Sequence, residues 1–317
     1  MKRFFSVNDV PNLDNLIKQA RQLKQQPLAQ QHLGKGKTIG LVFLNSSLRT
    51  RISTVKAAQN LGLESIVLNV TQDSWNWEFN DGTIMNGNTV EHIKDAARVL
   101  STYCDIIGIR CFAGLQDKAE DTSEKVYMLF ETYATVPVIS LESATLHPLQ
   151  SLADCISIAE HSAKNSFPKV VLSWAPHIKA LPQAVANSFA QWMHKMPCEL
   201  VVTHPEGYEL DPKFTGNAAI EYNQQKALEN ADFVYVKNWS SFNNYGKILP
   251  VEEDWMLTNN KLRISNNAKI MHCLPVRRNL EVSDEVLDSA NSLIYEQANN
   301  RTYAAQVVLQ NILTHAT

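Results

Sequence analysis

Short runs of apolar, largely β-branched residues punctuate the chain at 37–44, 64–70, 105–110, 136–141, 169–174, 199–204, 232–237 and 268–274. They are continuous rather than alternating, as expected of strands covered on both faces by helices. Between them lie stretches of helical spacing at 50–61, 90–103, 123–132, 150–163, 183–193 and 224–228. Strand and helix alternate throughout, which predicts βαβ units, parallel sheets and an α/β fold. An extended loop and a long helix from about Pro148 separate the fourth strand from the fifth, so we expect two doubly wound, Rossmann-like domains, over 1–150 and 151–297. The last segment, 298–313, puts Ala304, Val307, Val308 and Ile312 on one stripe. No strand follows it, so this C-terminal helix (about 298–317) is free to return to the first domain.

Composition narrows the function. The 317 residues are 44% hydrophobic, and 29 Lys+Arg against 32 Asp+Glu leave a net charge of −3. That balance speaks against a nucleic-acid or polybasic membrane binder, whose footprint is basic. No uncharged apolar run is long enough to span a bilayer. The opening MKRFFSVNDVPNLDNL reaches Asn8 and Asp9 before any apolar segment develops, so it is not expected to be a signal peptide, and a cytoplasmic location is expected. Five cysteines, an odd number without a CxxC pair, read as reduced and mostly buried thiols rather than disulfides or a zinc site.

In open α/β sheets, ligands bind beyond the carboxyl ends of the strands, so the residues that follow each strand are the candidates. The first run leads into Ser46-Ser47-Leu48-Arg49-Thr50-Arg51 and a helix. Hydroxyls, backbone N–H groups and bidentate guanidinium at a helix start suit a phosphate; an ordinary N-cap with solvated arginines is the competing reading. The third run ends at Arg110. The fourth leads into a short loop with Glu142, His147 and Gln150, where Pro148 is placed to start a helix. The eighth leads into His272-Cys273-Leu274-Pro275-Val276-Arg277-Arg278. Together these edges predict a compact, multiply charged anion as ligand. No GxGxxG, GxxxxGK[ST] or GxSxG is present, and glycines number only 11, so a dinucleotide, a nucleoside triphosphate or a serine hydrolase is poorly supported, and no cofactor is expected.

At these residues the chain resembles the transcarbamylase family, over nearly its whole length. Three loops carry the likeness in the family's order: Ser47-Leu48-Arg49-Thr50-Arg51, His147-Pro148-Leu149-Gln150 and His272-Cys273-Leu274-Pro275. The resemblance implies a carbamoyl phosphate domain, a second domain for the amine acceptor, and a homotrimer with active sites shared between neighbours. It further implies that Ser47, Leu48, Arg49 and Thr50 hold the phosphate, with Pro148, Leu149 and Arg301 also on carbamoyl phosphate. Arg110, His147 and Gln150 then polarise the carbamoyl oxygen, while Cys273 and Leu274 face the carbamoyl nitrogen and the attacking amine. No metal and no redox cofactor is implied. Such chemistry needs orientation and charge neutralisation rather than a nucleophilic side chain. A dehydrogenase on a similar sheet is disfavoured by the missing glycine-rich turn, and a non-catalytic relative by the intact loops.

The acceptor follows from where the chain departs from the ornithine enzymes. No Ser-Met-Gly follows 232–237, and Lys237 stands where the acceptor's α-substituents belong. A buried ammonium facing an α-ammonium is costly, whereas an N-acylated ornithine offers only its α-carboxylate. The resemblance is therefore to the acylornithine branch, which implies Glu142, His177, Lys237, Leu274 and Arg278 on the acceptor. Trp75 is implied to reach a neighbouring subunit's site, whereas ordinary core packing is the reading preferred for Trp77. The branch uses acetyl or succinyl, with Glu or Pro in a Thr-x-Glu-His slot; this chain has Val90 in Thr89-Val90-Glu91-His92 and matches neither. Val90 does not repel a distal carboxylate, and Arg277 or Arg278 can pair with it, so succinyl is favoured over acetyl.

Overall fold

A computed structural model describes residues 3–163 and 166–315. Its strands are β1 (Arg3–Phe4), β2 (Thr38–Phe43), β3 (Glu64–Asn69), β4 (Trp77–Glu78), β5 (Glu91–His92), β6 (Ile106–Arg110), β7 (Val138–Glu142), β8 (Lys169–Trp174), β9 (Glu199–Thr203), β10 (Ala219–Glu221), β11 (Phe233–Lys237) and β12 (Lys269–Met271). Two compact units divide the chain. The first takes the residues up to 113, then 119–149 and those from 301 onward; the second takes 114–118 and 150–300.

In the first unit, a five-stranded parallel sheet has the order β1-β7-β6-β2-β3. Its central strands are buried along their length, as continuous apolar runs require, and Ile107, Ile109, Tyr127, Phe130 and Ile93 pack on one face. Order along β6 and β7 is interrupted once: Ile109 is opposite Ser140 but Arg110 is opposite Glu142, so the register shifts by one residue at the carboxyl edge. In the second unit the order is β10-β9-β8-β11-β12, again parallel, over a core that includes Val171, Val201, Val234, Val236 and Ile270. The α/β, doubly wound expectation holds for both sheets.

Several elements differ from expectation. The helix Leu13–Gln25 was not anticipated, although Asn12 caps it by accepting the Asn15 N–H and Leu13, Leu16, Ile17, Ala20 and Leu23 face inward. The expected helix at 90–103 starts at Ile93, because the His92 imidazole accepts the Lys94 N–H as a cap while Glu91 and His92 pair with β4. Strands β1 and β10 are too short to stand out as apolar runs. The C-terminal helix spans Ile294–His315, and Ala304, Val307, Val308 and Ile312 are buried. Within the first unit, Gln306 on this helix accepts a hydrogen bond from Asn60 Nδ2 at 2.9 Å.

Candidate active site

The carboxyl ends of β2, β6 and β7 carry the first group of candidates. After β2 the chain enters the helix Arg49–Asn60, and Ser47 Oγ accepts the Thr50 N–H at 3.3 Å. Thr50 is buried, Arg49 half-buried and Leu48 exposed. Arg301, buried on the C-terminal helix, donates from Nη2 to Thr50 Oγ1 at 2.6 Å. Arg110 is also buried; its Nε donates to the Asn45 carbonyl at 3.3 Å, its Nη1 to Glu142 Oε2, and its guanidinium lies 5.1 Å from the Phe112 ring.

His147 completes the group. Its Nε2 is 3.6 Å from Glu142 Oε2, beyond hydrogen-bond distance, and burial followed by the charges of Arg301 and Arg110 holds its pKa well below the usual histidine value. The imidazole is therefore neutral at neutral pH. The first unit thus brings together Thr50, Arg110, Glu142, His147 and Arg301, two cations and a neutral donor beside one carboxylate.

Gln150 lies in the second unit, in the first turn of the helix Pro148–His161 and not on the loop as expected, because Pro148 begins the helix there. Its Nε2 donates to Asp154 Oδ1 at 2.8 Å. Gln297 Nε2 donates to the same oxygen at 2.7 Å, while Gln297 Oε1 accepts the His272 backbone N–H at 2.9 Å. A buried polar relay therefore joins Gln150 to the loop that carries Cys273 and Leu274, both half-buried. His272 Nδ1 accepts the Leu274 N–H at 2.9 Å, so Nε2 carries the proton and donates to Glu281 Oε2 at 2.9 Å. Leu274 has φ +55, a left-handed conformation that leucine rarely adopts.

Glu281 also lies 3.8 Å from His177 Nε2, which accepts from Arg277 Nε at 3.1 Å. Burial, foremost, lowers the His177 pKa. Lys237 is buried at the end of β11, with Nζ donating to the Asn238 carbonyl at 2.7 Å. Burial opposes ionisation of Glu281, but the hydrogen bond from His272 and the nearby Lys237 charge draw its pKa down. Arg278 is turned onto Asp284 and Asp288, at 2.7 Å from each. A cavity of about 270 Å³ in this unit is lined by Trp174, His177, Lys179, Tyr208, Asn238 and Trp239, among others.

Asp154, Glu281 and Gln297 were not singled out from the sequence. Asp154 meets Gln297 across 143 positions, Gln297 reaches the His272 backbone, and Glu281 pairs with His272 and lies near His177, so no local pattern marks them. Among the described residues no cluster of three or more His, Cys, Asp and Glu side chains is placed to hold a metal, and no helix is long and apolar enough to cross a membrane.

The same chain matches two family descriptions. Residues 2–160 match the carbamoyl-P binding domain of aspartate/ornithine carbamoyltransferase, and residues 182–312 match its Asp/Orn binding domain. The chain belongs to the aspartate/ornithine carbamoyltransferase family. It is 48% identical over 315 residues to the N-succinylornithine carbamoyltransferase of Bacteroides fragilis (strain 638R), with 99% of each chain covered. Against the N-acetylornithine carbamoyltransferase of Xanthomonas axonopodis pv. citri (strain 306), identity is 34%, covering 100% of this chain and 98% of that one. Among solved structures, it is similar to an acetylornithine transcarbamylase complexed with acetylcitrulline, at TM-score 0.92 and 34% identity, covering 98% of this chain and 99% of that one. It is equally similar, at TM-score 0.92 and 34% identity over 98% of this chain and 100% of that one, to an N-acetyl-L-ornithine transcarbamylase in which one glutamate is replaced by valine, complexed with carbamyl phosphate and N-succinyl-L-norvaline.

In this carbamoyltransferase the 75–92 loop is tied to itself. Trp75 Nε1 donates to Glu91 Oε2 at 2.9 Å, Thr89 Oγ1 donates to Glu78 Oε2 at 3.3 Å, and the Val90 N–H donates to the Asn76 carbonyl at 2.9 Å. Thr89, Glu91 and His92 thus fasten the loop, and the Val90 side chain between them is 64% exposed. Trp75 is exposed as well, whereas Trp77 is buried against Phe130 at 5.7 Å between ring centres. Of the five cysteines, Cys104, Cys111 and Cys155 are buried, Cys198 and Cys273 are partly exposed, and none is in a disulfide among the described residues.

Proposed function

We propose that the chain transfers the carbamoyl group of carbamoyl phosphate to the δ-amino group of N-succinyl-L-ornithine, giving N-succinyl-L-citrulline and phosphate, in arginine biosynthesis. The observation that carries this reading is the full-length identity of 48% to a succinylornithine enzyme, against 34% for an acetylornithine one. The uncharged Val90, in the slot where acetyl-specific relatives resemble one another by a glutamate, supports it, since a carboxylate there opposes a dicarboxylic acyl chain.

In the first unit, Ser47, Leu48, Arg49, Thr50 and Arg301 bind the phosphate of the donor. Arg110 and neutral His147 donate hydrogen bonds to the carbamoyl oxygen, Arg110 supplying charge and His147 direction; Pro148 and Leu149 shape this end of the site. In the second unit, Gln150 serves the carbamoyl oxygen as well, while Cys273 and Leu274 orient the carbamoyl nitrogen and the incoming amine. Lys237, His177, Glu142 and Arg278 bind the acylornithine, and Arg277 adds a second cation for the acyl carboxylate. The amine lone pair forms the new C–N bond, negative charge develops on the carbamoyl oxygen, and the C–O bond to phosphate then breaks. The departing phosphate takes the amine proton, so no protein base is required. We place the first domain at 1–150 with the C-terminal helix as the carbamoyl phosphate domain, 151–297 as the acceptor domain, Val90 at the acyl end, and the working form as a cytoplasmic homotrimer in which Trp75 reaches the neighbouring subunit's site.

Citrulline formation from carbamoyl phosphate, measured with N-succinyl-, N-acetyl- and free L-ornithine, tests the reading. The highest kcat/KM is expected for the succinyl compound. Preference for the acetyl compound overturns the acyl assignment, and no product from any of the three overturns the reaction. Sedimentation at three times the chain mass is expected for the trimer.

A further inference from the structure

We propose that Glu124, a residue remote in sequence from all three family loops, is a positioning residue that sets the placement of His147 for carbamoyl transfer. The inference rests on the reaction proposed above. His147 is buried, yet among the described residues its Nδ1 has no hydrogen-bond partner and its Nε2 comes no closer than 3.6 Å to Glu142. No hydrogen bond fixes the imidazole among the described residues, so its placement rests on packing and on the turn that precedes it.

That turn closes on one carboxylate. Glu124 is buried at the start of the helix Lys125–Tyr133, with φ +55. Its Oε1 accepts from Ser143 Oγ at 2.7 Å, from the Thr145 N–H at 2.7 Å and from Thr145 Oγ1, and its Oε2 accepts from the Ala144 N–H at 3.2 Å. The Ser143 N–H donates to the Leu146 carbonyl at 2.8 Å, which completes the turn. Four donors aimed at one group match an acceptor-only carboxylate, and a carboxamide cannot accept them all because its nitrogen offers only donors. At one end of the turn stands Glu142, held by Arg110; at the other stands His147. Both groups that flank the turn belong to the proposed machinery, so a shift of the turn moves both.

A displacement of about 1 Å at a polarising group is worth up to roughly 100-fold in rate. Glu124→Gln is therefore expected to lower kcat by roughly 10- to 100-fold while KM for carbamoyl phosphate stays within about threefold, because phosphate contacts from Arg49 and Arg301 remain. A purely structural role predicts instead a lower melting temperature with wild-type kcat per folded molecule. Should Glu124→Gln not fold, the pair Thr145→Val and Thr145→Ser decides: loss of the hydroxyl is expected to lower kcat several-fold, and serine to restore most of it. Wild-type kcat in Glu124→Gln, or equal kcat in the two Thr145 variants, overturns the proposal. A wild-type enzyme without carbamoyl transfer overturns the underlying reading instead.

Discussion

Arg301 donates a hydrogen bond from Nη2 to Thr50 Oγ1 at 2.6 Å, across 251 positions of sequence. Both side chains are buried, so the last helix of the chain takes part in the loop that the resemblance assigns to phosphate. A charged donor of this kind contributes about 1.5–3 kcal/mol, so Arg301→Ala is expected to lower kcat/KM for carbamoyl phosphate by roughly 10- to 150-fold and to reduce stability as well. Steady-state kinetics and a thermal melt check both effects. Unchanged kcat/KM contradicts the assignment.

Arg49 differs from Arg301 in being half-buried on the first turn of its helix. Arg49→Ala is expected to reduce turnover by at least about 100-fold with unchanged far-UV circular dichroism. Activity near that of the wild type removes the phosphate role from this loop.

Acid weakens the fold partly through His147. Its native pKa is depressed by burial, then by Arg301 and Arg110, so below about pH 6.5 the unfolded chain binds a proton that the native protein does not. Stability from this group is complete above the unfolded value and falls as pH drops below it, by up to about 1.4 kcal/mol per unit. Burial depresses His204 in the same direction. Urea unfolding at about pH 7 and about pH 5.5 is expected to show a smaller acid loss in His147→Gln than in the wild type, with the His204 contribution common to both. Equal losses contradict a neutral buried imidazole.

Val90 is exposed on a loop whose fixed neighbours Thr89, Glu91 and His92 are hydrogen-bonded to the frame. Val90→Glu is expected to change only the acyl end, shifting the succinyl-to-acetyl ratio of kcat/KM toward acetyl by about 1–3 kcal/mol, or roughly 5- to 150-fold. An unaltered ratio means that the acyl group lies elsewhere.

Gly246 has φ +70, and a Cβ there meets the Leu115 carbonyl oxygen at 2.4 Å. Leu115 belongs to the short 114–118 segment that groups with the second unit. Gly246→Ala is expected to cost about 1–3 kcal/mol of stability. Urea unfolding measures it, and a loss below half a kilocalorie means that this contact gives way easily.

Legibility in the sequence followed the range of the interaction. The continuous apolar runs at β2, β6, β7, β8, β9, β11 and β12 announced buried parallel strands, because a strand covered on both faces has no polar side to alternate with. The loops at Ser47, His147 and His272 were readable because each is contiguous and sits at a strand end. The helix Leu13–Gln25 was equally local but passed unnoticed among its many polar residues.

The sequence by itself determined which residues are apolar enough to be buried and which short loops carry donors, since both are properties of neighbours along the chain. Tertiary structure alone decided that Arg110 stands opposite Glu142, through a one-residue register shift, and that Asp154 and Gln297 join Gln150 to the His272 backbone. It also decided that Glu281 sits between His177 and His272. Such polar groups become partners only when burial removes water as the alternative, and burial depends on how distant segments pack.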